Sequence, residues 1–181
     1  AADARLSGAK ASNLAAARAA GLPVYDGFVI VAAHAAQVIA AHGPTASAGS
    51  GGNGSTPRPL PDPALPPDTA LFDAWTRLTG GGRAPLVVRS SSVLEDSSDS
   101  SMAGRFLTVL DVSCWTEFLT AVADVLASAG TVLDNSGTSA PMAVLVQPMG
   151  DAVTGGVLFG IDPLTGDESS FLVSYAPGAP E

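Results

Sequence analysis

The sequence predicts an α+β domain, a mixed, largely antiparallel sheet with flanking helices, and three observations carry that expectation. Stretches with helical periodicity alternate with short apolar runs of strand length. The later part holds three apolar segments, Met142 to Met149, Gly156 to Ile161 and Phe171 to Tyr175. Turn signals at Gly150-Asp151 and from Asp162 to Asp167 separate them, so they read as an antiparallel meander. Composition is the third: 46% hydrophobic against 14% charged residues over 181 positions supplies enough apolar surface for one domain with a core.

Taken in order, Ser7 to Gly21 reads as a small-residue turn opening an alanine-rich helix, with Gly21-Leu22-Pro23 as its stop. Phe28 to Val31 is a short buried strand, and Ala33 to Ala41 a second helix ended by Gly43-Pro44. Residues 43–68 change character, with a glycine-serine stretch followed by alternating prolines. They offer almost nothing to bury and read as a mobile surface insertion between residues 1–42 and 69–181. Leu71, Phe72, Trp75 and Leu78 fall at helical spacing, which predicts an amphipathic helix over Thr69 to Thr79. Strands follow at Leu86-Val87-Val88 and Phe106 to Val112, then a helix from Trp115 to Ala129 with Ser113 as its N-cap.

Charge narrows the function. The chain carries 8 Lys+Arg against 17 Asp+Glu, a net charge of −9, which is no balance for binding a polyanionic nucleic acid. The division is uneven, because residues 1–105 hold 8 basic and 8 acidic groups while residues 106–181 hold 9 acidic groups and no basic one. Any anion site must therefore draw its cations from the first part, where Lys10 is the sole lysine. One cysteine, Cys114, cannot form an intrachain disulfide and reads as a small buried residue. No membrane-spanning run and no basic-then-apolar leader is present, so the expectation is a cytoplasmic protein without a membrane partner.

Three segments hold polar residues that a plain core would not need. In Ser7-Gly8-Ala9-Lys10-Ala11-Ser12-Asn13-Leu14 a small-residue turn opens a helix and sets one ammonium beside free amides, an arrangement that holds phosphate oxygens, although a surface lysine would read the same way. In Leu86 to Asp96 a strand delivers Arg89 and three serines into a loop running on to Ala103-Gly104-Arg105. Arg89 could fork onto a phosphate or pair with Glu95 or Asp96. In Ala143 to Met149, Gln147 interrupts an apolar strand and needs a partner, from backbone or ligand. No Ser/His/Asp set and no Cys/His metal cluster is present, and His34 and His42 sit on an alanine-rich helix as solvated groups.

Together and in this order the segments resemble the ATP-binding domain shared by phosphoenolpyruvate synthase, pyruvate phosphate dikinase and rifampin phosphotransferase. That family reads G-G-K-x-x-N-L…G-(L/F/V)-P-V-P-x-G-F, then V-R-S-S-A-x-x-E-D…S-F-A-G-Q-x-x-T-F-L, then V-Q-x-M…(S/G)-G-V-(M/L)-F-(T)-x-D-P-x-T-G. The counterparts here are S-G-A-K-A-S-N-L…G-L-P-V-Y-D-G-F, V-R-S-S-S-V-L-E-D…S-M-A-G-R-F-L-T-V-L, and V-Q-P-M…G-G-V-L-F-G-I-D-P-L-T-G. The resemblance covers nearly the whole chain outside residues 43–68.

It implies an ATP-grasp-like nucleotide-binding fold. By position it implies phosphate contacts at Lys10 and Arg89, with Arg89 the catalytic group, glycine-loop contacts at Gly104 and Thr108, and an adenosine-side contact at Gln147. The implied cofactors are ATP and Mg2+, with no metal ligand in this chain. The implied chemistry passes a phosphoryl group from ATP, releasing AMP and phosphate, to a histidine on a swivelling domain in cis or in trans. From there it goes to pyruvate or a small-molecule hydroxyl. The chain ends about where the family reads S-x-G-L-G-E, so the fold is expected to be incomplete at its C-terminus and the chain alone inactive. The alternatives are a free-standing module that kept the fold without phosphotransfer, and one half of a split enzyme.

Overall fold

The computed structural model describes residues 4–42, 69–92, 107–129, 142–163 and 165–178. They form two compact units, Ala1–Met149 and Gly150–Glu181. The expected insertion at 43–68 and the loop carrying Glu95, Asp96, Gly104 and Arg105 lie outside the described residues.

In chain order the first unit contains α1 (Ala4–Ala19), β1 (Phe28–Ile30), α2 (Ala32–His42), α3 (Thr69–Thr79), β2 (Leu86–Ser92), β3 (Thr108–Val112), α4 (Trp115–Ala129) and β4 (Met142–Pro148). The second contains β5 (Thr154–Phe159) and β6 (Leu172–Pro177). Every strand pairing among the described residues is antiparallel. The four strands of the first unit run in the order β1-β4-β2-β3, so β4, last in the chain, is inserted between β1 and β2.

That order corrects the expected three-strand meander. Met142–Pro148 pairs with β1 and β2, while β5 and β6 form a separate hairpin. The reason is burial: Met142 through Val146 are all buried and accept neighbours on both edges, as an interior strand must. The hairpin by contrast leaves Val157, Leu158, Val173 and Tyr175 exposed.

A second correction concerns β2, which runs on through Ser90, Ser91 and Ser92 instead of ending at Val88 as a serine-rich loop. Those residues pair with Val144, Ala143 and Met142, and all three serines are fully buried. Strand propensity alone would end the strand at Val88; the long partner β4 overrides it.

Directly opposed residues of an antiparallel pair share a face. Leu86, Val88, Val144, Val146, Phe28 and Ile30 thus point to one side, where they join Phe118, Val122 and Val125 of α4 and Val38 of α2 in the core. A chain of rings closes this layer. Phe72 stacks on Trp75, both meet Trp115 edge-on, Trp115 stacks on Phe118, and Phe118 meets Phe28, with centroids 5.0 to 6.2 Å apart. The aromatic face read from the spacing of α3 is therefore core.

The other face carries Val87, Arg89 and Ser91 of β2, and α1 lies against it through Ser91. A bulge separates the pairs Leu86↔Val112 and Val88↔Val109, and Asp111 within it has φ +56°. The bulge also displaces the expected N-cap. Ser113 Oγ donates to Asp111 O at 3.1 Å, the Ser113 amide donates to Glu117 Oε2 at 2.9 Å, and Cys114 O accepts the first helical bond from Phe118. Cys114 is consequently exposed at the helix start, not buried.

Candidate functional site

The site starts from a glycine. α1 is two helical pieces joined at Gly8, whose φ +76° and ψ 170° lie outside helical space, so the helix carrying Lys10 starts afresh just after it. A Cβ on Gly8 would stand 2.1 Å from Ser91 O and 2.5 Å from Ser91 Oγ. The glycine read from sequence as part of a phosphate turn is thus also the point where the helix rests on β2. One turn on, the Ala11 amide, left without a helical acceptor by the break, donates to Ser91 Oγ at 3.1 Å. Ser7 Oγ and Ser12 Oγ hydrogen-bond at 3.0 Å across the kink.

This docking sets Lys10 on β2. Its Nζ donates to Ser90 O at 3.4 Å and reaches Ser90 Oγ at 3.5 Å. The Ser90 amide donates to Leu107 O at 3.4 Å, so Ser90 is the point where β2 meets the start of β3 and the ammonium lies on the β3 side of β2. The break in α1 and the buried serines together place the sole lysine there.

Arg89 is opposed by Thr108 on β3 and by Leu145 on β4, while Gln147 on β4 is opposed by Val87. Arg89, Thr108 and Gln147 therefore point to the same face, the one that α1 shares. Strand spacing puts the Gln147 and Arg89 Cα atoms about 8 Å apart diagonally, with Thr108 roughly 5 Å beyond Arg89 on its other side. Arg89 Nε is buried and, among the described residues, has no hydrogen-bond partner. A buried guanidinium N–H left unpaired costs on the order of 1–3 kcal/mol, and an incoming oxyanion would remove that cost. The donor therefore fits a phosphate.

Gln147 is half-buried, and its Nε2 donates to Tyr25 O at 3.4 Å. Of the five expected site residues, four thus lie on one sheet and its docked helix, and Gly104 lies outside the described residues. The serines that seat α1 and the Tyr25 carbonyl were not anticipated as site elements. The signal for them lay in the motif glycines, Gly8 and Gly27, each of which sits where a Cβ would collide with a strand carbonyl.

In the second unit, Asp162 and the residues from Thr165 to Ser170 hydrogen-bond among themselves between β5 and β6. Asp162 Oδ1 accepts from the Thr165 amide, the Gly166 amide donates to Asp162 O at 2.8 Å, and Asp167 accepts from the Ser169 amide and the hydroxyls of Ser169 and Ser170. The Ser169 hydroxyl, its amide and the Ser170 hydroxyl, in that order, hold the Asp167 carboxyl below the ordinary aspartate value. Among the described residues no group of three or more His, Cys, Asp or Glu side chains could hold a metal ion, and no helix is long and apolar enough to cross a membrane.

Comparison with known proteins bears on this geometry. Residues 68–181 match the family described as the pyruvate phosphate dikinase AMP/ATP-binding domain. Over 181 aligned residues and 96% of its length the chain is 34% identical to the prodigiosin synthesizing transferase PigC of Serratia marcescens. It is 31% identical over 98% of its length to the uncharacterized phosphotransferase YvkC of Bacillus subtilis, and 32% identical over 62% to a phosphoenolpyruvate synthase of Aeropyrum pernix. It spans 20%, 22% and 15% of those three proteins.

Proposed function

We propose that this chain, which belongs to the pyruvate phosphate dikinase AMP/ATP-binding domain family, is the nucleotide-binding portion of a dikinase-type phosphotransferase with an ATP-grasp-like fold. The observation that carries the reading is the unpartnered Arg89 Nε, on the face it shares with Thr108 and Gln147 and beside the helix that brings Lys10 to β2. In this reading the nucleotide lies across the strands, base toward Gln147 on β4 and phosphates toward Arg89, Thr108 and Lys10. The spread of those positions, about 10 Å across three strands, suits a base-to-phosphate span.

Arg89 and Lys10 hold phosphate oxygens by charge-assisted hydrogen bonds, and Arg89 takes up charge on the transferring group. Gly104 and Thr108 contribute loop contacts. Bound ATP would supply the phosphoryl group. The described residues offer no cage for Mg2+, so a metal in this reading arrives with the nucleotide or is held by other residues. The phosphohistidine domain, the acceptor (pyruvate or a small-molecule hydroxyl) and a cytoplasmic location complete the proposal. The relatives' names, a phosphoenolpyruvate synthase, a phosphotransferase and a transferase, support its class.

The test is product analysis with the intact protein that carries this chain. ATP should yield AMP and inorganic phosphate in equal amounts. Formation of ADP alone, or no turnover with ATP binding retained, would remove the dikinase chemistry and leave a binding module.

A further inference from the structure

We propose that Ser91 is a positioning residue for the lysine assigned to phosphate: its buried hydroxyl fixes the rotation of α1 about its own axis, and with it the place of the Lys10 ammonium. The inference rests on the nucleotide-binding reading above and deepens it.

Apolar packing alone does not set that rotation. Between Ala4 and Ala19 the only large apolar side chains are Leu6, which is 60% exposed, and Leu14, which is half-buried. The other apolar positions are alanines, whose methyl groups distinguish one helix face from the next only weakly. A helix of this composition can roll on a sheet at little cost. A roll of one residue, about 100°, would swing Lys10 away from β2.

Ser91 supplies what the alanines lack. The backbone at Gly8 passes so close that a Cβ there would stand 2.1 Å from Ser91 O, and the Ala11 amide donates to the Ser91 hydroxyl at 3.1 Å. Gly8 and Ala11 lie about one turn apart, so the turn that contains Lys10 is held at both ends by a single strand residue. The second contact also orients Lys10 itself, because the planar peptide that carries the Ala11 N–H carries Lys10 Cα as well. Seat and destination then lie on consecutive residues of β2, since Ser90 O receives the ammonium at 3.4 Å.

The seat is rigid. Ser91 is fully buried and opposes Ala143 of β4, whose methyl group offers no competing hydrogen bond. The same bond takes up the Ala11 amide, which is therefore tied to the sheet and not open to a ligand. In this part of the site the Lys10 side chain, and not that amide, meets the phosphate.

The test is calorimetric titration with ATP of the intact protein in four forms: wild type, Ser91→Cys, Lys10→Ala and the double variant. A thiol keeps the volume of the hydroxyl nearly unchanged and is only a weak acceptor. Ser91→Cys should weaken ATP binding about 3- to 10-fold, the worth of one hydrogen bond passed on through Lys10. In the Lys10→Ala background the same change should leave ATP affinity within about 2-fold, because no ammonium remains to be placed. Unchanged affinity in Ser91→Cys overturns the inference, and so does equal weakening in both backgrounds, which is what a merely structural role would give. Either result leaves the nucleotide reading intact so long as Lys10→Ala weakens ATP. A Lys10→Ala variant that binds ATP as the wild type does removes Lys10 from the phosphates and this inference with it. If the cysteine variant does not fold, hydrogen exchange of the wild type decides. The Ala11 amide should exchange about 10-fold or more slowly relative to an unstructured chain, and exchange there at the open-chain rate overturns the inference.

Discussion

Replacing Gly8 by alanine should be among the most damaging single-methyl changes in the first unit, for two separable reasons. The backbone there, at φ +76° and ψ 170°, is close to a glycine-only region, and holding an alanine in it costs about 1–3 kcal/mol. The added Cβ would also stand 2.1 Å from Ser91 O and 2.2 Å from Ser91 C, atoms of a paired strand that cannot swing aside as a side chain would. Forcing such an overlap costs about another 1–3 kcal/mol. The expected loss is therefore about 2–6 kcal/mol if α1 stays docked, against a total stability of about 5–15 kcal/mol for a domain. Urea denaturation followed by tryptophan fluorescence reads it directly, because Trp75 and Trp115 lie in the aromatic layer on the opposite face of the sheet. With a slope of about 2 kcal/mol per molar, the midpoint should fall by about 1–3 M. Undocking offers a cheaper escape, in which α1 lifts from β2. The midpoint would then fall less, but ATP affinity would fall with it because Lys10 leaves Ser90. A variant with both the midpoint within about 0.2 M and ATP affinity unchanged would refute the docking argument.

Two further outcomes follow from packing and titration. Phe118→Ala removes a fully buried ring that stacks on Trp115 and meets Phe28, and should cost about 3–5 kcal/mol in the same denaturation assay. A loss under about 1 kcal/mol would mean that the ring layer does not anchor α4 to the sheet. The Asp167 carboxyl should titrate below the ordinary aspartate value when followed by carboxyl-carbon NMR, since the hydroxyls and amide of Ser169 and Ser170 favour its charged form. Because the folded value is the lower one, the turn's gain from this carboxylate is fully present above the unfolded value and is lost as pH falls through the folded one. Ser169→Ala should move the titration upward, and an unmoved midpoint would show that these bonds do not form in solution.

The sequence made the helices legible and the sheet order illegible, for a physical reason. Leu71, Phe72, Trp75 and Leu78 repeat at helical spacing, and α3 occupies Thr69–Thr79 as that spacing predicts. α4 likewise spans Trp115–Ala129. Periodicity is a local property of one segment. Strand partnership is not, and nothing within Met142–Pro148 says that its neighbours are β1 and β2 and not the apolar runs that follow it. The same limit explains Ser90 to Ser92, where composition predicts a loop and the long partner strand makes buried β structure.

The site divides along the same line. The types of its residues were readable, because a sole lysine after a glycine, an arginine ending an apolar run and a glutamine inside one are each out of place in a plain core. That Arg89, Thr108 and Gln147 share one face follows only from the registers β2–β3 and β2–β4. Gly8 and Gly27 were visible as motif letters, yet their work of bringing α1 onto Ser91 and the Tyr25 segment onto Gln147 is a matter of contacts between distant segments.

The central claim is that nucleotide phosphates are held where Lys10 and Arg89 meet the sheet, and calorimetric titration of the intact protein with ATP, wild type against Lys10→Ala, tests it most directly. Lys10 is only half-buried, so its removal should leave the fold standing. Losing one charge-assisted phosphate contact is worth about 1.5–3 kcal/mol, so the variant should bind ATP about 10- to 100-fold more weakly. Equal affinity in the two proteins would contradict the account and remove Lys10 from the site.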